Sequence, residues 1–276
     1  MKKLLLLIYL FSGSIYSQYM TQEKTEIKKI KDLGIHYESI YQFETSFGKI
    51  DESTKFLASK NEYNEAGQLI KAERYYRMKE MKEFESVNVY HYNEDDYLEK
   101  TVVYKANGEI KHIIKESYEN GLNNKREVLS SYGDVVKKII FSFNKSNKVV
   151  ENEMLDSKNN LMVRNTYKYD KENNLIQTKT YDKNNKLESI DKYTRKNNII
   201  TREEFNIDGK SEFKSIEKFN DNNLIVEKWT YFPSGYKPSK EFYEYDNNEL
   251  VTKITEMGRN GEPKEFTVIE RTNYWV

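Results

Sequence analysis

Cysteine is absent from all 276 residues, so no disulfide braces the chain, and burial and strand pairing alone must hold it. Charge of a dominant sign is missing too. Lys plus Arg and Asp plus Glu number 45 each and are finely interspersed, which leaves no field to steer nucleic acid or an anionic membrane surface. Only three histidines occur, His36, His91 and His112. They are far apart and lack His-Glu-x-x-His or paired spacing, so nothing points to zinc. No Gly-x-Ser-x-Gly elbow or glycine-rich phosphate loop appears, and Ser234, between Pro233 and Gly235, reads as a turn residue rather than a nucleophile. Beyond Phe11 no apolar run approaches the roughly 20 residues of a membrane-spanning helix.

What is present begins with Met1-Lys2-Lys3, an apolar run from Leu4 to Phe11, and a small, polar stretch from Ser12 to Ser17. That is the layout of a secretory signal peptide, with cleavage expected after Ser17. The apolar run is too short for an anchor, and no cysteine follows it to accept a lipid. Ile27, Ile30 and Leu33 then recur at helical spacing up to Gly34, which predicts one short helix leading into a strand over 35–43.

Tyrosine is abundant, with 23 copies, in a chain that is one-third charged. A disordered chain would be poor in aromatics. The tyrosines fall in a repeat: aromatic, Asp or Asn, two free positions, Asn or Gly, one free position, then Leu or Ile. Tyr169 to Leu175 and Tyr181 to Leu187 are clear copies. Anchors stand at Tyr63, Tyr92, Tyr104, Tyr118, Tyr132, Phe143, Leu155, Tyr169, Tyr181, Tyr193, Phe205, Phe219, Tyr231, Tyr245 and Met257, with a diverged copy around Tyr76 to Phe84. Asp or Asn after the aromatic starts a type I turn, because its side chain bonds the backbone two residues on. Gly67, Gly108, Asn147, Asn173, Asn185, Asn197, Gly209, Gly235 and Gly261 suit the left-handed conformation that closes a short hairpin loop. Some seven strand-like residues separate successive turns. One repeat is therefore one strand plus one turn.

Leu175 with Tyr181, Leu187 with Tyr193 and Ile199 with Phe205 are each six apart and share a strand face, so apolar pairs flank the turns along both margins of the sheet. Mid-strand positions are polar on both faces, which fits neither a sandwich core nor a lipid-facing barrel. The expected fold is all-β: an antiparallel up-and-down meander of about fifteen short strands in a curled or spiral sheet, with a wide closed barrel as the alternative. The final strand, near Glu265 to Trp275, is too apolar for a bare edge and is expected to close against 35–43 or to self-associate.

The strings YNEAGQL from Tyr63, YDKENNL from Tyr169 and YDKNNKL from Tyr181 resemble the YD repeats of the Rhs family, and YENGL from Tyr118 resembles the variant MORN repeat of exported bacterial proteins. The resemblance runs from about Tyr63 to Gly261. It departs from the YD pattern in replacing most glycines by Asn, in lacking the arginine and in its tighter spacing. It implies a curled repetitive sheet, and nothing matches a toxin domain or an autoproteolytic core.

The expected organisation is a signal peptide over 1–17, a lead-in with a short helix over 18–34 and one repetitive sheet domain over 35–276. Asp170, Glu172 and Asn174, like Asn220 to Asn223, offer alternating oxygens, but turn chemistry accounts for them without calcium. No catalytic, cofactor-binding or metal-binding residues are assigned. The candidate surface or packing row is Tyr169, Tyr181, Tyr193, Phe205, Phe219, Tyr231 and Tyr245. Tyrosine supplies broad contact area with a polar handle. The functional expectation is thus a non-catalytic exported binding or structural module, periplasmic or extracellular, with a protein or glycan partner and neither nucleic acid nor membrane insertion. A carrier of an apolar ligand inside a curled sheet or barrel is the alternative, and a hydrolase with an unidentified site the third.

Overall fold

The computed structural model describes residues 25–78, 81–232, 238–258 and 260–274, without the side chains of 77–84. The signal-peptide segment 1–17 with its cleavage bond, the turn at Ser234 and Gly235, and Trp275 all lie outside them.

A helix, α1, covers residues 25–32. The strands follow in chain order: β1 (Ile35–Ser46), β2 (Lys49–Ile50), β3 (Phe56–Tyr63), β4 (Leu69–Met78), β5 (Met81–Tyr92), β6 (Leu98–Lys105), β7 (Ile110–Glu119), β8 (Leu122–Leu129) and β9 (Val135–Phe143). The second half continues with β10 (Val149–Asp156), β11 (Leu161–Tyr169), β12 (Leu175–Tyr181), β13 (Leu187–Lys196), β14 (Ile199–Asn206), β15 (Ser211–Phe219), β16 (Ile225–Tyr231), β17 (Ser239–Tyr245), β18 (Val251–Met257) and β19 (Pro263–Asn273). Each strand pairs antiparallel with the next, except that the two-residue β2 only folds back on the end of β1, and β3 takes the place beside β1.

The ring closes. β19 runs antiparallel to β1 in a register that sets Ile40 opposite Ile269 and Phe43 opposite Phe266. Eighteen strands thus form a closed barrel, the alternative architecture, and the apolar last strand meets its expected partner. Closure removes the edge that an open sheet would leave. The strand total of 19 exceeds fifteen because the connection after β4 and the turns that set off β1, β2 and β3 lack the repeat's anchor.

The turns follow the repeat closely. In the turn after β3, the Asn64 amide donates to the Gln68 carbonyl and the Gly67 amide to the Asn64 carbonyl, while the Asn64 side chain accepts from the amides of Ala66 and Gln68. Asn93, Asn144, Asp182, Asn206, Asn220 and Asp246 repeat this scheme. It is a type I turn closed by a left-handed residue and a one-residue bulge. Gly67, Gly108, Asn147, Asn173, Asn185, Asn197, Gly209 and Gly261 all have positive φ, between 51° and 85°.

Turns alternate between two rims. The upper rim carries those after β3, β5, β7, β9, β11, β13, β15 and β17, together with α1. The lower rim carries the hairpin at Phe47-Gly48 and the turns after β4, β6, β8, β10, β12, β14, β16 and β18.

Candidate functional site

Strand registers sort the wall into two faces. The exposed positions Lys115, Ile140, Met162, Lys168, Lys192, Phe242 and Glu270 all fall on one face, and the buried polar positions Ser59, Asn61, Glu116, Asn152, Thr178, Asp191 and Ser215 on the other. Side chains converge on the concave side of a barrel and splay on the convex side, so the buried face lines the lumen. A round ring of 18 strands at about 4.8 Å spacing and about 40° tilt would be roughly 35 Å across between backbones, wide enough for an aqueous interior.

The lumen wall carries a polar girdle joined strand to strand. On β1, Glu38 accepts from Arg271 Nε of β19 at 2.8 Å and from the Tyr63 hydroxyl, while Arg271 Nη2 donates to the Val251 carbonyl at 2.9 Å. Burial first, then the charge of Glu38, holds the Tyr63 hydroxyl far above its ordinary range. On β7, Glu116 accepts from Arg126 Nε and Asn123 Nδ2, each at 2.6 Å. Burial raises the pKa of Glu116, and Arg126 and Asn123 oppose the rise. Asn152 Nδ2 donates to the Tyr167 hydroxyl at 2.7 Å, Asn165 Nδ2 to Asn152 Oδ1 at 3.0 Å, and Thr180 Oγ1 to Asn165 Oδ1 at 2.9 Å. On β13, Asp191 accepts from Arg202 Nε at 2.8 Å. Removing one partner of a buried ion pair costs about 3–5 kcal/mol, a cost that applies most fully to Glu38–Arg271, the best covered of these pairs.

The expected aromatic row does not exist as one row. Tyr169, Phe219 and Tyr245 stand at the upper rim on the lumen face, Tyr193 lies within β13 on the lumen face, and Tyr181, Phe205 and Tyr231 stand near the lower rim on the outer face. From β11 to β18 the paired positions sum to an odd number away from the turns, so an even repeat step carries the aromatic from one face to the other. The upper-rim tyrosines form a belt of their own. Tyr92, Tyr118, Tyr169 and Tyr245 donate to the carbonyls of Leu69, Leu98, Val149 and Ile225, at the start of the neighbouring strand, while Tyr274, just past β19, reaches across β1 to the carbonyl of Tyr63 at the end of β3. The outer row is held differently, with Arg164 over Tyr181 at 4.4 Å and Lys192 over Phe205 at 4.8 Å.

Helix α1 bridges two upper-rim turns on either side of the β19–β1 seam. Ile30 packs with Ile35 and Leu250, Lys29 Nζ reaches Glu249 Oε2 at 2.7 Å, and Gly67 lies under the Ile27 carbonyl. Glu26 faces the lumen mouth, where burial and Glu38 raise its pKa and Arg271 and Lys29 lower it. Glu249 adopts φ 60°, a strained choice for a glutamate, and its carboxylate anchors the helix. Sequence reasoning missed the girdle, because its residue types are those of any solvated strand face. Among the described residues, no cluster of three metal-ligating side chains forms.

No protein-family model matches the sequence, and no curated relative does. Solved structures with a similar chain course include a porin-like protein from Bacteroides uniformis, 12% identical, with 86% of this chain and 98% of that chain covered and a TM-score of 0.46. A TcdB2-TccC3 structure is 12% identical, covering 84% of this chain and 15% of that one at a TM-score of 0.40. A DUF1329 family protein from Desulfovibrio piger is 8% identical, covering 95% and 92% at a TM-score of 0.28.

Proposed function

We propose that the protein is an exported, non-catalytic barrel of the cell envelope or exterior that carries a polar ligand, a glycan segment, in its lumen. One observation carries this reading: a closed wall whose concave face combines hydrogen-bonding side chains at mid-height with inward tyrosines at one mouth. Sugars present hydroxyls to the first and C–H faces to the second. An apolar cargo fits less well, because an apolar carrier needs a continuous apolar inner wall and this one is interrupted by Asn61, Glu116, Asn152, Asp191 and Arg202. The layout of residues 1–17 supports export, and the turn units support kinship with YD repeats.

The outer face supports contact with water rather than lipid. Lys60, Lys71, Lys100, Lys115, Lys138, Lys179, Lys192, Lys214, Lys240 and Lys253 share it. At about 2–4 kcal/mol for each cation against the bilayer midplane, ten would cost roughly 20–40 kcal/mol.

The test is isothermal titration of the mature protein with a panel of soluble oligosaccharides, alongside Thr230→Trp, which thrusts bulk from the lumen face of β16, and Lys179→Ala on the outer face. Binding that Thr230→Trp abolishes and Lys179→Ala leaves intact is expected. Binding indifferent to Thr230→Trp, or no binding by any member of the panel, would overturn the reading.

A further inference from the structure

The two rims differ in a way that a carrier lumen does not explain. The upper-rim turns after β3, β5, β7, β9, β11, β13, β15 and β17 are tipped mainly with polar residues, among them Glu94, Asp95, Lys145, Lys171, Glu172 and Asp221. The lower rim instead projects Phe47, Tyr132, Ile207 and Phe232 from four separate turns; Phe47 and Tyr132 stand almost fully in solvent, and Ile207 is 67% exposed and Phe232 53%.

Phe47 is the telling one. It occupies the first tip position of the β1–β2 hairpin at φ 51°, followed by Gly48 at φ 72°. Such a turn prefers Asn or Gly there, and an aromatic residue pays steric strain. Phe47 recovers nothing by packing, since its ring is bare. A strained, unpacked aromatic kept at a loop tip points to a role outside the fold.

Just inside the same rim, the outward side chains continue the theme. Tyr181 lies under Arg164, Phe205 under Lys192, and Trp229 under Lys240 at 3.9 Å. Aromatic rings topped by long cationic side chains suit the headgroup zone of a bilayer, where a ring sits at the apolar boundary and the cation reaches water. The apolar tips are isolated from one another by polar turns such as Asp182 to Lys186. A protein partner would call for a contiguous apolar core, whereas a lipid surface accepts separate anchors lying in one plane.

We infer that the lower rim docks end-on on a lipid bilayer surface, with Phe47, Tyr132, Ile207 and Phe232 entering the boundary between headgroups and acyl chains. The wall itself stays in water, so this is surface docking and not spanning. The described lower-rim turns carry both signs of charge, so apolar insertion drives binding, and neither salt nor anionic lipid governs it. The inference stands apart from the lumen reading, since vesicle binding needs no cargo.

The experiment is flotation of the mature protein with phosphatidylcholine vesicles, and with vesicles of phosphatidylethanolamine and phosphatidylglycerol at 3:1, at low and high salt. The variants are Phe47→Asn, Ile207→Ser and the pair combined, with Glu94→Ser on the upper rim as control. Wild type and Glu94→Ser are expected to float with both vesicles at either salt. The combined variant should bind at least tenfold more weakly, while Phe47→Asn melts at or above the wild-type temperature because Asn relieves the turn. Failure of wild type to float with either vesicle would overturn the inference. So would flotation unchanged in the combined variant. A lipid-free dimer that Phe47→Asn dissociates would assign the rim to a second protein chain instead.

Discussion

At the scale of single residues, the fold rests on turn chemistry that the sequence displays openly. Asn173, Asn185 and Asn197 have φ of 62°, 61° and 51°. Replacing any one with Val should cost about 1–2 kcal/mol, and replacing it with Gly should be nearly neutral; urea unfolding of the six variants checks this, and equal losses would refute the turn assignment. The aspartates that open turns should mark the acid limb of stability. The pKa of Asp156 is lowered by the Asn160 side chain and backbone amide, that of Asp170 by the amide of Asn174, and that of Asp182 by the amide of Lys186. Each folded value lies below its unfolded value. Their stabilisation is therefore complete above the ordinary carboxylate range near 4 and drains away as pH falls toward the folded values. Asn at all three positions should leave neutral-pH melting almost unchanged and flatten the decline below about pH 4; a decline as steep as wild type would remove the turns from the account of acid sensitivity.

At the scale of elements, α1 stands outside the repeat, and Gly67 fixes where it sits. A Cβ on Gly67 would stand 2.3 Å from the Ile27 carbonyl oxygen, while one on Gly108 would meet nothing within 4 Å; their φ values, 79° and 83°, are alike. Ala at either position pays the same backbone strain, so any excess cost of Gly67→Ala measures helix docking. Limited proteolysis should cut near α1 faster in Gly67→Ala and at the wild-type rate in Gly108→Ala; equal rates would mean the helix is not held there. The helix, the strands and their turns were legible because each has a local signature: Ile27, Ile30 and Leu33 at helical spacing, or an aromatic followed by Asp or Asn. The faces of the strands were not. Whether Tyr181 points in or out depends on the bulge in the preceding turn, and a bulge is a matter of pairing register that no local pattern states. The same holds for Glu38 with Arg271, which lie 233 positions apart and meet only because the ring closes.

At the scale of the whole molecule, closure decides everything else: it creates a lumen, pairs the apolar last strand and sets two chemically different rims. A chain of strands that mainly touch their neighbours should also store its stability locally. Deleting Glu265 onward removes most of β19 and bares both β1 and β18. Hydrogen exchange on that truncation should show lost protection in β1 with β11 to β16 still protected, and uniform loss would reveal a single cooperative unit. The most direct test of closure uses the absence of cysteine. Ser39 on β1 lies opposite Glu270 on β19, on the outer face, and cross-strand partners lie within the Cα separations a disulfide tolerates. In the otherwise thiol-free double variant Ser39→Cys, Glu270→Cys, mild oxidation is expected to give an intramolecular disulfide in nearly all of the monomer, with the fold retained. Two free thiols, or disulfides found only between chains, would contradict a closed barrel.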